Sequence, residues 1–272
     1  MTTLSPKQQE ILNQLVGMLQ NVDGIEAIAL GGSFARGIAR PDSDLDIGLY
    51  YADAAPFPID DIRTIAHEMN DDPEVTVTDF WQWGRWVNGG AWLTIQGQRV
   101  DFLYRSLDRL AEWVARSQHG EYETDYYQQP ATGFYSYIYL AELSICQPLY
   151  DPAGKVQALK EQVREYPPAL KQKIIADFGW MAEFTLMHAE KAAKRGDLYM
   201  LVGCLHRALS GVFQVIYAQN ERYFISDRGA LDEISTMNKV PQDFVSRVDT
   251  ILKDSYMQSA FLLRDLLAEA RS

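Results

Sequence analysis

Leu30-Gly31-Gly32-Ser33, ten further residues, and then Asp44-Leu45-Asp46-Ile47: the fold is decided in this stretch. Residues 25–30 form a short apolar run that leads into the glycines. From Asp44 to Tyr51, Leu45, Ile47 and Leu49 alternate with Asp44, Asp46 and Gly48, the period of a strand with one buried face. A strand that runs into Gly-Gly-Ser and then a short helix presents bare backbone N–H groups, which suit phosphate oxygens. Glycine also permits a backbone approach that a Cβ would block. Asp44 and Asp46, two apart on a strand, project from one face. Carboxylates that close repel unless cations lie between them, and magnesium, which prefers oxygen ligands and keeps bound phosphates, is the natural occupant.

A third carboxylate, Asp101, stands in Val100-Asp101-Phe102-Leu103, a later strand expected beside the first two in a small sheet. Two metals held by three carboxylates can stabilise both the attacking and the leaving oxygen of an in-line displacement, so the protein itself needs little covalent chemistry. The plainer alternative, Asp44 capping a turn and Asp46 facing solvent, explains neither the preceding glycines nor the later Val-Asp-Phe strand.

These residues resemble the nucleotidyltransferase superfamily that includes DNA polymerase beta, the drug-modifying nucleotidyltransferases and the minimal nucleotidyltransferases. Its pattern is a hydrophobic residue, Gly, Gly or Ser, a spacer, then Asp-hydrophobic-Asp-hydrophobic, and Leu30–Ser33 with Asp44–Ile47 match it at every defined position. The resemblance spans roughly residues 20–105. It implies that Gly32 and Ser33 hold the triphosphate of an NTP, ATP being the expected one. It also implies that Asp44, Asp46 and Asp101 hold Mg2+, with two ions expected. Arg36, in the loop after Ser33, is placed to reach phosphate, whereas Arg40 before Pro41 reads as solvated and Ser43 as a local turn bond.

The rest of the chain divides into two. Ser5 as N-cap with Pro6 at the first helical position predicts a helix to about Asn21. Further helices are expected at 59–69 and 106–116, a strand at 75–80, and a hairpin of 91–96 with 99–104 around Gly97-Gln98. Beyond Gly133 no strand is evident. Leu170, Ile174, Phe178, Met181, Thr185 and Ala189 form one helical stripe, and Leu198, Val202, Leu205, Leu209, Val212 and Ile216 another. Gly196-Asp197 separates them into an antiparallel pair, with Gly203, Ala208 and Gly211 allowing close approach, and a last helix covers about 257–269. The expected class is α+β: a nucleotidyltransferase domain over 1–118 with a small mixed sheet, then a helical bundle over 125–272. The boundary is expected in the polar segment 120–129, before Pro130.

Nucleotide transfer to a hydroxyl is helped by a base. Glu142 is the one charged residue between Tyr126 and Tyr150, amid six tyrosines counting both ends. Partial burial there would favour its protonated form and suit that role. The competing reading is a structural carboxylate satisfied by tyrosine hydroxyls. Glu183 and Glu190, seven apart on a helix, are reserves. The resemblance adds modest support, since a carboxylate near the helical domain serves as base in the similar drug-modifying enzymes. The tryptophans at 81, 83, 86 and 92 read as core or hairpin packing ahead of stacking on a base or sugar, and the four histidines share no ligand spacing.

Composition bounds the partners. The 272 residues carry a net charge of −12 and no basic run beyond Lys191, Lys194 and Arg195, so no nucleic-acid partner is expected. The acidic surplus fits a cationic acceptor such as an aminoglycoside, and is equally commonplace in cytosolic proteins. Two cysteines without metal spacing, no signal pattern over Met1–Lys7 and no run of about 18 apolar residues lead to the expectation of a cytoplasmic protein without a membrane span. The favoured function is an enzyme moving AMP from ATP to a hydroxyl of a small molecule, for instance an aminoglycoside-like antibiotic, with release of pyrophosphate. A protein-modifying or antitoxin-type nucleotidyltransferase and a purely nucleotide-binding regulatory protein are the alternatives. A template-directed polymerase fits least, for want of DNA-binding elements.

Overall fold

The computed structural model describes residues 4–129, 131–253 and 256–270, so Met1–Thr3 of the expected leader-free start and Pro130 of the expected boundary lie outside the described residues. The chain forms two compact units, one of the residues up to Ala115 with Tyr139–Glu165, the other of Arg116–Ile138 with the residues from Tyr166. The fold is α+β, with a mixed sheet followed by a helical C-terminal region.

In the first unit, α1 (Pro6–Leu19) opens on a capping box: the Gln8 amide donates to Ser5 Oγ at 3.2 Å, and the Ser5 amide donates to Gln8 Oε1 at 2.9 Å. Then follow β1 (Ala27–Leu30), the one-turn α2 (Gly32–Arg36), β2 (Leu45–Tyr51), α3 (Ile59–Met69), β3 (Thr76–Val77), the short α4 (Gly84–Val87), β4 (Gly90–Ile95), β5 (Gln98–Ser106) and α5 (Leu107–Gln118). After a two-stranded ribbon of β6 (Thr124–Asp125) and β7 (Phe134–Tyr135), the chain continues through α6 (Ile138–Ile145), β8 (Gln147–Tyr150) and α7 (Lys155–Gln162).

Six strands pair in the order β3-β4-β5-β2-β1-β8, with β2 and β5 parallel and the other neighbours antiparallel. One face of this sheet is the core. Leu45, Ile47 and Leu49 of β2, Val100, Phe102 and Tyr104 of β5, and Ala91, Leu93 and Ile95 of β4 are buried with Ile11, Leu15 and Leu19 of α1 and Ile62 of α3. The other face carries Asp46, Gly48 and Tyr50 on β2, opposite Asp101, Leu103 and Arg105 on β5.

Three short strands were not expected: β6, and β7 and β8 beyond Gly133, where the sequence shows no strand pattern. β8 pairs with β1 at the sheet edge and brings α6 and α7 into the sheet unit, so residues 139–165 lie outside the bundle assigned to 125–272. The reason is local. Gln147-Pro148-Leu149-Tyr150 has no alternation, and its proline, which cannot donate to a ladder, is tolerated only at an edge.

In the second unit, α8 (Pro168–Arg195) ends on left-handed Gly196, and Asp197 caps α9 (Leu198–Gln219) by accepting from the Met200 amide at 3.1 Å. Shorter helices follow: α10 (Ala230–Ile234), α11 (Phe244–Lys253) and α12 (Tyr256–Ala270). α9 is long and apolar enough by length and composition to cross a membrane, but 61% of that stretch is buried within the protein, as in a core helix. Its expected stripe holds from Leu205 onward, whereas Leu198 and Val202 are exposed.

The glycines of α9 differ in role. A Cβ on Gly211 would meet the Phe178 carbonyl and Met181 Cε at 2.9 Å, so the helices touch there; at Gly203 nothing lies within 4 Å, and the expected close approach is absent. Opposite signs follow. Gly211→Val overpacks the contact and destabilises by about 1–3 kcal/mol. Gly203→Ala removes a flexible residue from an exposed helix and stabilises by up to about 1 kcal/mol. Chemical denaturation of both variants measures the difference.

Candidate active site

The carboxylates meet through strand register. Asp46 and Asp101 lie directly opposite each other in the parallel β2–β5 pair, so their side chains leave the same face of neighbouring strands, about 4.8 Å apart at the backbone. Asp44 precedes β2 by one residue and keeps the parity of Asp46. Its Oδ1 lies 2.6 Å from Arg99 Nε, an ion-pair distance, although the oxygen is buried without hydrogen-bond geometry.

Burial, then Asp101, then Asp44 push the Asp46 carboxyl up to about 7, with Glu142 adding to and Arg105 opposing the effect. Burial and Asp44 raise Asp101 to about 6 against the pull of Arg99. Each carboxylate is thus held where its own charge is disfavoured, and a cation between them would reverse that. Among the described residues no three His, Cys, Asp or Glu side chains already converge as a metal cage. Asp44 is turned to Arg99, so the preassembled part is the Asp46–Asp101 pair. The donor set, all oxygen, fits Mg2+.

The glycine loop is built against the same carboxylate. The Gly31 amide donates to the Asp46 carbonyl at 2.8 Å, continuing the β1–β2 ladder past Leu30. Gly32 follows at φ +57°, and a Cβ there would fall 1.7 Å from Asp46 Oδ2. Glycine is required twice, by a left-handed backbone and by the carboxylate in contact with it. Ser33 lies in the first turn of α2 and Arg36 in its last, before left-handed Gly37. Ser43 makes the expected turn, its Oγ accepting from the Arg40 amide at 2.8 Å.

Glu142 is placed differently from expectation. It belongs to the sheet unit, and both its oxygens are taken by Arg105, Nε at 2.7 Å and Nη2 at 2.8 Å. Its partner is a guanidinium, not the tyrosine hydroxyls of the competing structural reading. Arg105 is 6% exposed and also donates to the Val87 and Tyr104 carbonyls at 3.1 and 3.0 Å. Burial opposes the Arg105 charge, but Glu142 outweighs it and keeps the guanidinium protonated. The signal was available: Arg105 shares the parity of Asp101 on one strand, and a buried arginine needs an acid. The reserve carboxylates lie in the helical unit, Glu190 bound to Arg264 and Glu183 exposed.

The tryptophans divide. Trp86 is buried against Trp113, whereas Trp92 is 56% exposed, stacked on Trp83, and pairs in register with Asp101.

Two family models match parts of the chain. Residues 13–82 match the family described as polymerase beta, nucleotidyltransferase, and residues 136–227 match a domain of unknown function, DUF4037. No curated protein sequence matches the chain. A solved nucleotidyltransferase-like protein from Exiguobacterium sibiricum 255-15 is similar over 97% of this chain and 74% of its own, at 10% identity and a TM-score of 0.48. The matched segment runs from within α1 through the glycine loop to Asp44 and Asp46, and over these residues the chain is similar to the polymerase beta nucleotidyltransferases.

Proposed function

We propose that the protein is a magnesium-dependent enzyme that moves NMP, AMP by preference, from an NTP to a hydroxyl of a small molecule. The observation that carries this reading is the register of Asp46 against Asp101, with the Gly32 backbone in contact with the Asp46 carboxylate. Asp46 and Asp101 would hold the metal, joined by Asp44 on release from Arg99. Bound Mg2+ supplies charge neutralisation and Lewis acidity at the phosphate oxygens. The Gly32–Ser33 loop binds the pyrophosphate end of the NTP through backbone N–H groups, with Arg36 as an added cation. The acceptor oxygen bonds to the α-phosphorus, the bond to the bridging oxygen breaks, and pyrophosphate leaves with the electron pair. The hydroxyl proton passes to water.

Glu142 is read here as a positioning residue. To take a proton from an acceptor it would first have to release a buried guanidinium. Its pairing instead fixes Arg105 at the far end of the strand that carries Asp101.

The function is tested by incubating the chain with Mg2+, labelled NTPs, aminoglycosides and cell extract, then locating the label. Label on a small molecule supports the reading. Label on a polypeptide replaces it with the protein-modifying alternative, and no Mg2+-dependent label overturns it.

Three variants test the residues. Asp46→Asn abolishes transfer and the rise in melting temperature that Mg2+ gives the parent chain, yet the metal-free variant is at least as stable, because a disfavoured charge is gone. Gly32→Ala displaces the Asp46 carboxylate and slows transfer by about 10²-fold, the effect of misplacing a reacting group by about 1 Å. Glu142→Gln leaves Arg105 uncompensated and costs about 3–5 kcal/mol, while turnover per folded molecule is largely kept. Denaturation and single-turnover rates on the same preparation separate that outcome from loss of a base, which would slow the chemical step by about 10²–10⁴-fold.

A further inference from the structure

Trp92 is the feature of the carboxylate face that the phosphate and metal chemistry leaves unused. It stands on β4 directly opposite Asp101, which stands opposite Asp46, which pairs through its carbonyl with Gly31. A single row thus crosses the sheet: glycine loop, Asp46, Asp101, Trp92. Neighbours in a sheet are about 4.8 Å apart, so the Trp92 backbone lies about 10 Å from that of Asp46, on the side away from the loop.

The indole is also built into place. Trp92 and Trp83 stack with centroids 4.8 Å apart and planes at 24°. Trp83 is half-buried, and its ring lies over Gly90, where a Cβ would meet the ring at 2.7 Å and the Phe102 carbonyl more closely still. Gly90 has the same parity as Trp92, so its missing side chain makes the room in which Trp83 lies. The approach to β4 is fixed by Asn88, which is buried, donates to the Tyr51 hydroxyl at 2.8 Å and accepts from the Trp81 amide at 2.8 Å. Trp83 backs one side of Trp92, which remains more than half exposed to solvent.

We infer that Trp92, backed by Trp83, is the platform on which the ring of a hydroxylated, sugar-like acceptor lies. The inference rests on the transferase reading above and follows from the direction of attack. In an in-line displacement the entering and leaving oxygens are on opposite sides of phosphorus. With pyrophosphate held at the Gly32–Ser33 loop, the attacking hydroxyl approaches from the Asp101 side, where Trp92 stands. An indole face takes the C–H face of a pyranose or cyclitol, leaving the ring hydroxyls free at the edge. The carboxylates beside it favour a ring that also carries an amine.

The test is a titration of the full chain, with Mg2+ and a non-hydrolysable ATP analogue bound. Glucosamine, myo-inositol and p-nitrophenyl glucoside are added in turn while tryptophan emission is followed. At least one is expected to give a saturable change. Its Kd should rise about tenfold or more in Trp92→Ala, the loss of one stacking contact, and stay within about threefold of the parent in Trp92→Phe, which keeps a ring. Equal affinity in parent and Trp92→Ala would overturn the platform. So would an emission change produced by the ATP analogue alone and lost in Trp92→Ala, which would make the indole a seat for the base. A parent chain that binds the analogue with Mg2+ but none of the three probes would also overturn it, leaving the transferase reading intact. Trp92-dependent sugar binding in a chain that takes no Mg2+-nucleotide would do the reverse.

Discussion

Parallel pairing of β2 with β5 in one register is the constraint on which the rest depends. Side chains alternate faces along a strand, so a slip of one residue would send Asp101 into the core and expose Phe102. The core holds the register. Leu45, Ile47 and Leu49 fit against Val100, Phe102 and Tyr104 only when Asp46 meets Asp101 on the other side. Hydrophobic burial on one face thus sustains an electrostatic cost on the other, where two half-buried carboxylates stand side by side. In the proposed metal site that tension would favour a cation, because relief of the repulsion would add to its binding.

The other end of the same face is kept in balance by a charge pair. Arg105 and Tyr50 are register partners, four residues along from Asp101 and Asp46. Arg105 is satisfied by Glu142 and by two carbonyls, and Glu142 comes from α6, which reaches the sheet only because β8 closes on β1. The late edge strand, irregular in register and carrying a proline, thus delivers a carboxylate to a buried arginine that would otherwise be uncompensated. A buried pair of this kind adds little net stability over well-packed apolar residues, but losing one partner is severe. Its contribution is therefore to the placing of α6.

How much of this was legible in the sequence follows from the range of each interaction. The capping box at Ser5, the helix 59–69, the hairpin and the strand of the two aspartates depend on neighbours within a few residues, and all were readable. Asp101 was expected on a neighbouring strand from the family pattern, but its register opposite Asp46 was not. Glu142 was singled out as the one charge in its stretch, but its partner lies 37 residues away on β5, which no local pattern encodes. β8 was missed for a similar reason: an edge strand of four residues has no periodicity to detect. The exposed start of α9 shows the converse, a regular apolar stripe that the tertiary structure leaves uncovered in its first turns.

The four clustered tryptophans show why composition alone could not assign them. Trp86 is almost fully buried, with Arg85 and Arg109 over its ring, while Trp81 is exposed on a left-handed residue. Trp83 lies over a glycine and Trp92 faces outward. A purely structural role explains Trp86, but it gives no account of a large apolar ring placed on the polar face of β4, where Thr94 follows at the next position of the same parity. On that face Arg105 has Glu142, and Asp44 has Arg99. Trp92 is covered on one side and open on the other, in the row that begins at the glycine loop. Contact with water raises the free energy of the open indole face, so a ring laid against that face would be held by the apolar surface it covers.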